Sequence, residues 1–200
     1  MTDQPDRRTV ALRHGRARSA WQELVSELAR PDLVAAVDHA GEVLMEALAA
    51  GHRLWVVGNG GSAAMASHVA AEFAGRCIAD REPLPAISLA DSSAAVTAIA
   101  NDYGFEHVFA RAVRAMGRTG DVLLAMSTSG TSPNIVNALA AGRELGLVTI
   151  LLTGRAAPNG IQADHVLVAP TEQTPRIQEV HLLWTHAWCE AVDTAWASLP

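Results

Sequence analysis

Lysine is missing from this chain of 200 residues: all 15 of its Lys-or-Arg positions are arginine. A Schiff-base lysine, a pyridoxal phosphate lysine and a Walker-type phosphate lysine are therefore excluded from its own chemistry. Cysteine is nearly missing too. Cys77 and Cys189 are too few for a disulfide framework and lack CxxC spacing, which points to a reducing, cytoplasmic setting. No uninterrupted apolar run approaches the ~18 to 20 residues that a bilayer span needs, so no membrane partner is expected. The 15 arginines are outnumbered by 21 acidic residues, a net charge of −6, and nothing announces a general affinity for nucleic acid.

What is present is material for a core. Half of the residues are hydrophobic and 18% are charged, and a chain of this size buries roughly 70% of its unfolded surface in one domain. Arg7, Arg8, Arg13, Arg16 and Arg18 make the start basic, but it has no apolar segment, and Asp3 and Asp6 do not suit a transit peptide. Residues 1–18 are expected as a flexible tail and residues 19–200 as a single domain. Apolar residues recur at helical spacing from Ala17 to Arg30 and from Asp32 to Ala50, with Pro31 between them and Gly51 as a stop. Short continuous apolar runs follow at Leu54–Val57, Ala86–Leu89, Val122–Met126, Val148–Leu152 and Val166–Val168, separated by helix-length stretches. Strands apolar on both sides belong to a parallel sheet covered on both faces, so the fold class is α/β. The closing helix, from about Pro175 to Ala197, is rich in Leu and Trp and is expected to pack against another subunit or the N-terminal helices.

Two loops have the composition of an anion site. GNGGSAAMASH, Gly58 to His68, follows the first strand. Its glycines let a ligand approach the backbone, the next helix presents its N-terminus there, and Ser62 is placed to cap that helix. The spacing is not the GxGxxG of dinucleotide folds. STSGTSPN, Ser127 to Asn134, follows the third strand, with Ser132 as the expected cap and Pro133 in the first turn. Hydroxyls and amides at a helix start bind a phosphate without lysine.

His68 and Glu72 stand at i and i+4, on one face of the helix after the glycine loop. Such a pair suits a metal, a base with its orienting partner, or a surface ion pair. In the last helix Gln178 and His186 are ~80° and ~12 Å apart by helical geometry, too far for adjacent chelation, so a shared point lies between their side chains or across a subunit boundary. His181, about 140° round from His186, reads as structural. Asn101 and Asp102 end an apolar helical stretch, where they either bind sugar hydroxyls or cap.

GNGGS, HxxxE followed by Gly75 and Arg76, NDYGF, GDVLLAMSTSGTSPN and RIQEVH, in this order, resemble the phosphoheptose isomerase family of the sugar isomerase (SIS) fold. The resemblance implies a five-stranded parallel sheet between helices, a homotetramer with interfacial active sites, and conversion of sedoheptulose 7-phosphate to D-glycero-D-manno-heptose 7-phosphate through an enediol. It assigns catalysis to Glu72 and His186. Substrate binding falls to Asn59, Gly60, Gly61, Ser62, Glu72, Arg76, Asn101, Asp102, Ser127, Thr128, Ser129, Ser132 and Gln178. His68, Glu72, Gln178 and His186 would hold one Zn²⁺ per subunit. Pro175 replaces an acidic residue of some members, and Thr131 stands where many have asparagine. The alternatives are a non-catalytic SIS relative that associates with the bacterial replication initiator and a sugar-phosphate-binding SIS protein; the former lacks the equivalents of Glu72 and His186.

Overall fold

The computed structural model describes residues 8–197. Within them the chain runs α1 (Arg8–Leu28), α2 (Pro31–Ala49), β1 (Leu54–Gly58), α3 (Gly61–Ala74), β2 (Ala86–Ser88) and α4 (Ser93–Tyr103). It continues through a 3-10 turn at Phe105–His107 to α5 (Val108–Met116), β3 (Val122–Met126), α6 (Pro133–Glu144), β4 (Val148–Gly154), β5 (His165–Ala169) and α7 (Thr174–Ala197). The five strands are all parallel, in the order β2-β1-β3-β4-β5. Each expected apolar run is a strand, with ends shifted by a residue or two.

Alternation along the strands divides the core in two. Leu54, Val56, Leu124, Ile150 and Leu152 face one side and pack under α2, α3 and α7 through Leu44, Phe73, Val180 and Trp184. Trp55, Val57, Leu123, Ala125 and Leu151 face the other and meet Val108, Phe109 and Val113 of α5 and Ile135 and Leu139 of α6. Every residue of β1 and of β3 is buried, as strands covered on both faces require. The architecture is a three-layer αβα sandwich.

One expectation changes. The segment read as a flexible tail up to Arg18 is helical from Arg8 onward, because α1 extends back through it; residues 1–7 lie outside the described residues. Of the two covers expected for the apolar face of α7, another subunit or the N-terminal helices, the chain itself supplies the second. Trp184 and Trp188 are buried within the chain, and the Trp188 indole N–H donates to the Val37 carbonyl of α2 at 3.1 Å.

The lower end of the sheet is held by one carboxylate. Asp121, buried at the entry to β3, accepts from the Arg53 N–H at 2.9 Å, the Trp55 indole N–H at 2.9 Å and the Arg118 N–H at 3.0 Å. Removing the carboxylate leaves the buried Trp55 indole N–H without a partner and loosens the two backbone bonds beside it, so Asp121→Ala is expected to cost about 2–3 kcal/mol in urea unfolding. Any ligand site at the opposite, C-terminal end of the strands should keep its affinity in the folded variant.

Candidate active site

β1 and β3 are neighbours, yet the chain leaves them in opposite directions, towards β2 and towards β4. Open parallel sheets hold ligands at the C-terminal strand ends of such a divergence. Gly58 ends β1 level with Met126 at the end of β3, so the two loops leave the sheet side by side. They are then bolted together by a reciprocal amide pair. Asn59 Nδ2 donates to Asn134 Oδ1 at 2.9 Å and Asn134 Nδ2 donates back to Asn59 Oδ1 at 2.8 Å.

In the glycine loop, Gly60 takes the cap position of α3 at φ +54°, a left-handed conformation that favours glycine. A Cβ on Gly61 would stand 2.7 Å from Gln178 Nε2, so this glycine is what lets the amide of α7 close onto the start of α3. Ser62 is not the cap expected of it. It already lies in the first turn and is buried, and its N–H is taken by the Asn59 carbonyl at 2.9 Å.

In the hydroxyl loop, Ser127 is buried and its Oγ accepts from the Gly130 N–H at 3.2 Å. The Thr128 carbonyl accepts from Gly154 N–H at 3.2 Å, which ties the loop to the end of β4. Ser129 is exposed, and its Oγ accepts from the N–H of Thr131 at 3.3 Å and its hydroxyl at 3.1 Å. Ser132 occupies the cap position of α6, as expected, but its hydroxyl makes no capping bond. That hydroxyl remains available to a ligand at the helix N-terminus.

α7 runs beside α3 in the same direction. Gln178 meets Gly61, and one further stretch along both helices His186 meets His68, Nε2 to Nε2 at 2.9 Å, with the rings edge to face. One ring nitrogen donates and the other accepts. Glu72 Oε1 stands 3.8 Å from His68 Nδ1. The structure thus brings His68, Glu72 and His186 together from a single chain and leaves the Gln178 amide nearer the phosphate-type loops. Asn101 and Asp102 lie exposed in the last turn of α4, bonded to each other at 2.8 Å. Neither bonds to the two loops among the described residues. Arg76 is exposed just beyond the end of α3.

The SIS domain family matches residues 19–154. The chain is 46% identical over 196 residues to a phosphoheptose isomerase of Bradyrhizobium sp. (strain ORS 278), covering 98% of this chain and 97% of that protein. It belongs to the phosphoheptose isomerases. Among solved structures, phosphoheptose isomerases from Neisseria gonorrhoeae and Francisella tularensis superpose with TM-scores of 0.81 and 0.86. Their identities are 39% and 33%, over 94% and 93% of this chain and 98% of each of theirs.

The site holds two imidazoles and one carboxylate, ligand types that suit zinc, with the Gln178 amide as a neutral oxygen donor further along α7. The 2.9 Å between the imidazole nitrogens is close to the about 3.3 Å that separates two nitrogens on one tetrahedral Zn²⁺, so a small opening would admit the ion. Among the described residues no three His, Cys, Asp or Glu already form a cage.

Three residues next to this site escape a reading of the motifs. Asn134 was legible only as the end of SPN, although it is 1% exposed and locks Asn59. Cys77 has its thiol pushed up to about 11, first by burial and then by the adjacent Glu72 carboxylate. Arg81 donates to the backbone carbonyl of Glu72 at 2.9 Å. No local pattern marks either of the last two.

His181 is structural, as its position on α7 suggested. It is fully buried below the hydroxyl loop, with Nε2 3.2 Å from the Thr153 carbonyl; a carbonyl only accepts, so Nε2 carries the proton. Burial, partly offset by that bond, lowers its pKa to about 4. The unfolded chain takes up the proton near pH 6.5, so the stability of the neutral form is present above that value and lost as the pH falls towards 4. The loss attributable to this group reaches about 3 kcal/mol. Urea unfolding at pH 7 and pH 4.5 should show a shallower decline for His181→Gln than for the unsubstituted protein.

Proposed function

We propose that this phosphoheptose isomerase interconverts sedoheptulose 7-phosphate and D-glycero-D-manno-heptose 7-phosphate through an enediol, with Glu72 and His186 moving the protons. The observation that carries the reading is the contact of His186 with His68, beside Glu72, above two tied phosphate-type loops. Relatives named phosphoheptose isomerase support the choice of sugar.

Moving a carbonyl from C2 to C1 requires a base to remove a proton from C1, an acid to deliver one to C2, and a proton passed between O1 and O2. Glu72 serves as the base at C1. His186 serves at C2, with His68 fixing the direction in which its ring points. The phosphate sits between the starts of α3 and α6, where backbone N–H groups, the helix dipoles and the hydroxyls of Ser127 and Ser132 replace the absent lysine. Asn59, Thr128, Ser129 and Gln178 line the path between phosphate and reacting carbons.

His68, Glu72, Gln178 and His186 would hold one Zn²⁺ per subunit. When bound, the ion would polarise the carbonyl and stabilise the enediolate oxygens. We place the protein in the cytoplasm, in keeping with two free cysteines, and as a homotetramer. Support for assembly comes from α4, which buries none of its residues completely, and from the exposed Ile87, Tyr103 and Phe105 near it. Closing that face with other copies would bring Asn101 and Asp102 into a site.

Glu72→Gln and His186→Asn should each lower kcat on sedoheptulose 7-phosphate by ~10² or more. Zinc content and light scattering on the same preparations separate lost proton transfer from lost metal or lost assembly. Near-normal turnover in both variants would move the proton transfers to other groups, and absence of turnover in the unsubstituted protein would leave a binding protein in place of an enzyme. Ser127→Ala/Ser132→Ala should raise KM at least about tenfold, or ~1.4 kcal/mol, with the fold intact; an unchanged KM would move the phosphate to the glycine loop.

A further inference from the structure

A buried ion pair that the proton transfers do not use lies one turn from Glu72. Arg81 Nε is 2.7 Å from Asp193 Oδ1, and both side chains are wholly buried. Asp193 Oδ2 also accepts from three consecutive backbone N–H groups, Cys77 at 2.9 Å, Ile78 at 2.7 Å and Ala79 at 3.0 Å. Arg81 in turn reaches back to α3. Its Nη2 donates to the Glu72 carbonyl at 2.9 Å and its Nη1 to the carbonyls of Phe73 at 2.9 Å and Glu82 at 3.1 Å. Burial alone would push the Asp193 carboxyl up; the Ala79 and Ile78 amides, Arg81 and the Cys77 amide outweigh it and hold the group below its ordinary value.

The carbonyls of Glu72 and Phe73 are among those that the end of a helix leaves without an intrahelical partner, and a cation there also complements the helix dipole. A guanidinium, with its planar fork, can satisfy two of them and a carboxylate at once. Asp193 lies seven residues, two turns, beyond His186 on α7. The network therefore fastens the last turn of α3, which carries Glu72, to the helix that carries His186. At the other end of the same helix pair Gln178 lies close against Gly61.

From this geometry we infer that Arg81 and Asp193 are positioning residues that set the register of α3 against α7 and so aim Glu72 and His186 at one pair of carbons. The inference rests on the isomerase reading above, and acts through residues that touch neither phosphate loop.

Removing one partner would strand a buried charge and unfold the protein for reasons unrelated to aim. The test therefore uses Arg81→Gln/Asp193→Asn, which keeps neutral polar groups at both positions, beside Arg81→Lys, which keeps the charge without the fork. Steady-state turnover of sedoheptulose 7-phosphate is measured with nitrogen-edited NMR of the histidine rings. In the folded double variant kcat should fall at least tenfold while KM stays within twofold, and the ring signals of His68 and His186 should move while those of His39 and His165 stay. Arg81→Lys should lose several-fold in kcat with the same unchanged KM, and it decides the matter alone where the double variant does not fold. Normal kcat with unmoved His68 and His186 signals, or a KM that rises in step with the loss of kcat, overturns the inference. If the unsubstituted protein does not isomerise the sugar, the functional reading fails by itself, and the ring signals still decide whether the pair sets the register.

Discussion

Pairing of β1 with β3, and the divergence of the chain from them, is the constraint on which the site depends. The parallel register puts Gly58 opposite Met126, so two loops more than 60 residues apart in the chain emerge at one level. Two helix starts then face the same space. Each helix would carry its dipole and amides to a strand end anyway; adjacency makes them converge. The Asn59–Asn134 amide pair fixes the gap between the loops with two hydrogen bonds that a change in either loop would break. Asp121 does the equivalent at the far end, joining the entries to β1 and β3.

The three central strands were legible because a strand buried on both faces has a distinctive appearance, a short and mostly apolar run, whereas the edge strands β2 and β5 are apolar runs that leave Ile87, Val166 and Val168 exposed on one face. The loops were legible because glycine and hydroxyl residues at a strand-to-helix turn have few other uses. What covers an apolar stripe was not legible. α7 announced that something must bury Trp184 and Trp188, and the cover turned out to be α2, across 151 residues for the Trp188 hydrogen bond. Ser62 failed as a cap because α3 begins two residues earlier than its hydroxyl suggested, with Gly60 taking that place. Asp193 lay in plain view on the buried stripe of α7, and a carboxylate there demands a partner; 112 residues separate it from Arg81, and no periodicity spans that distance.

The absence of lysine has a structural counterpart in how arginine is employed. Arg81 makes bonds in several directions from one plane, and the Arg111 guanidinium lies over the Tyr103 ring at 3.6 Å, next to Asn101 and Asp102. An ammonium, a compact point charge, could not span the partners of Arg81, and over Tyr103 it would keep the attraction of the charge for the ring but not the flat stacking surface. Cations in this chain therefore organise backbone and aromatic groups. In the proposed site, phosphate recognition falls to neutral donors, in keeping with loops built from Gly, Ser and Thr.

The spacing of the two halves of the proposed site is set by the helices that carry them. Glu72 is eleven residues from Gly61, so its Cα stands about 16 Å along α3 from the helix start that would face the phosphate, with its side chain leaning back towards that start. One helix presents its N-terminus to one end of the substrate and Glu72 to the other, so the distance between them follows helical rise and not flexible loops. The Arg81–Asp193 network ties the last turn of α3 to α7 and so carries the same measure to His186.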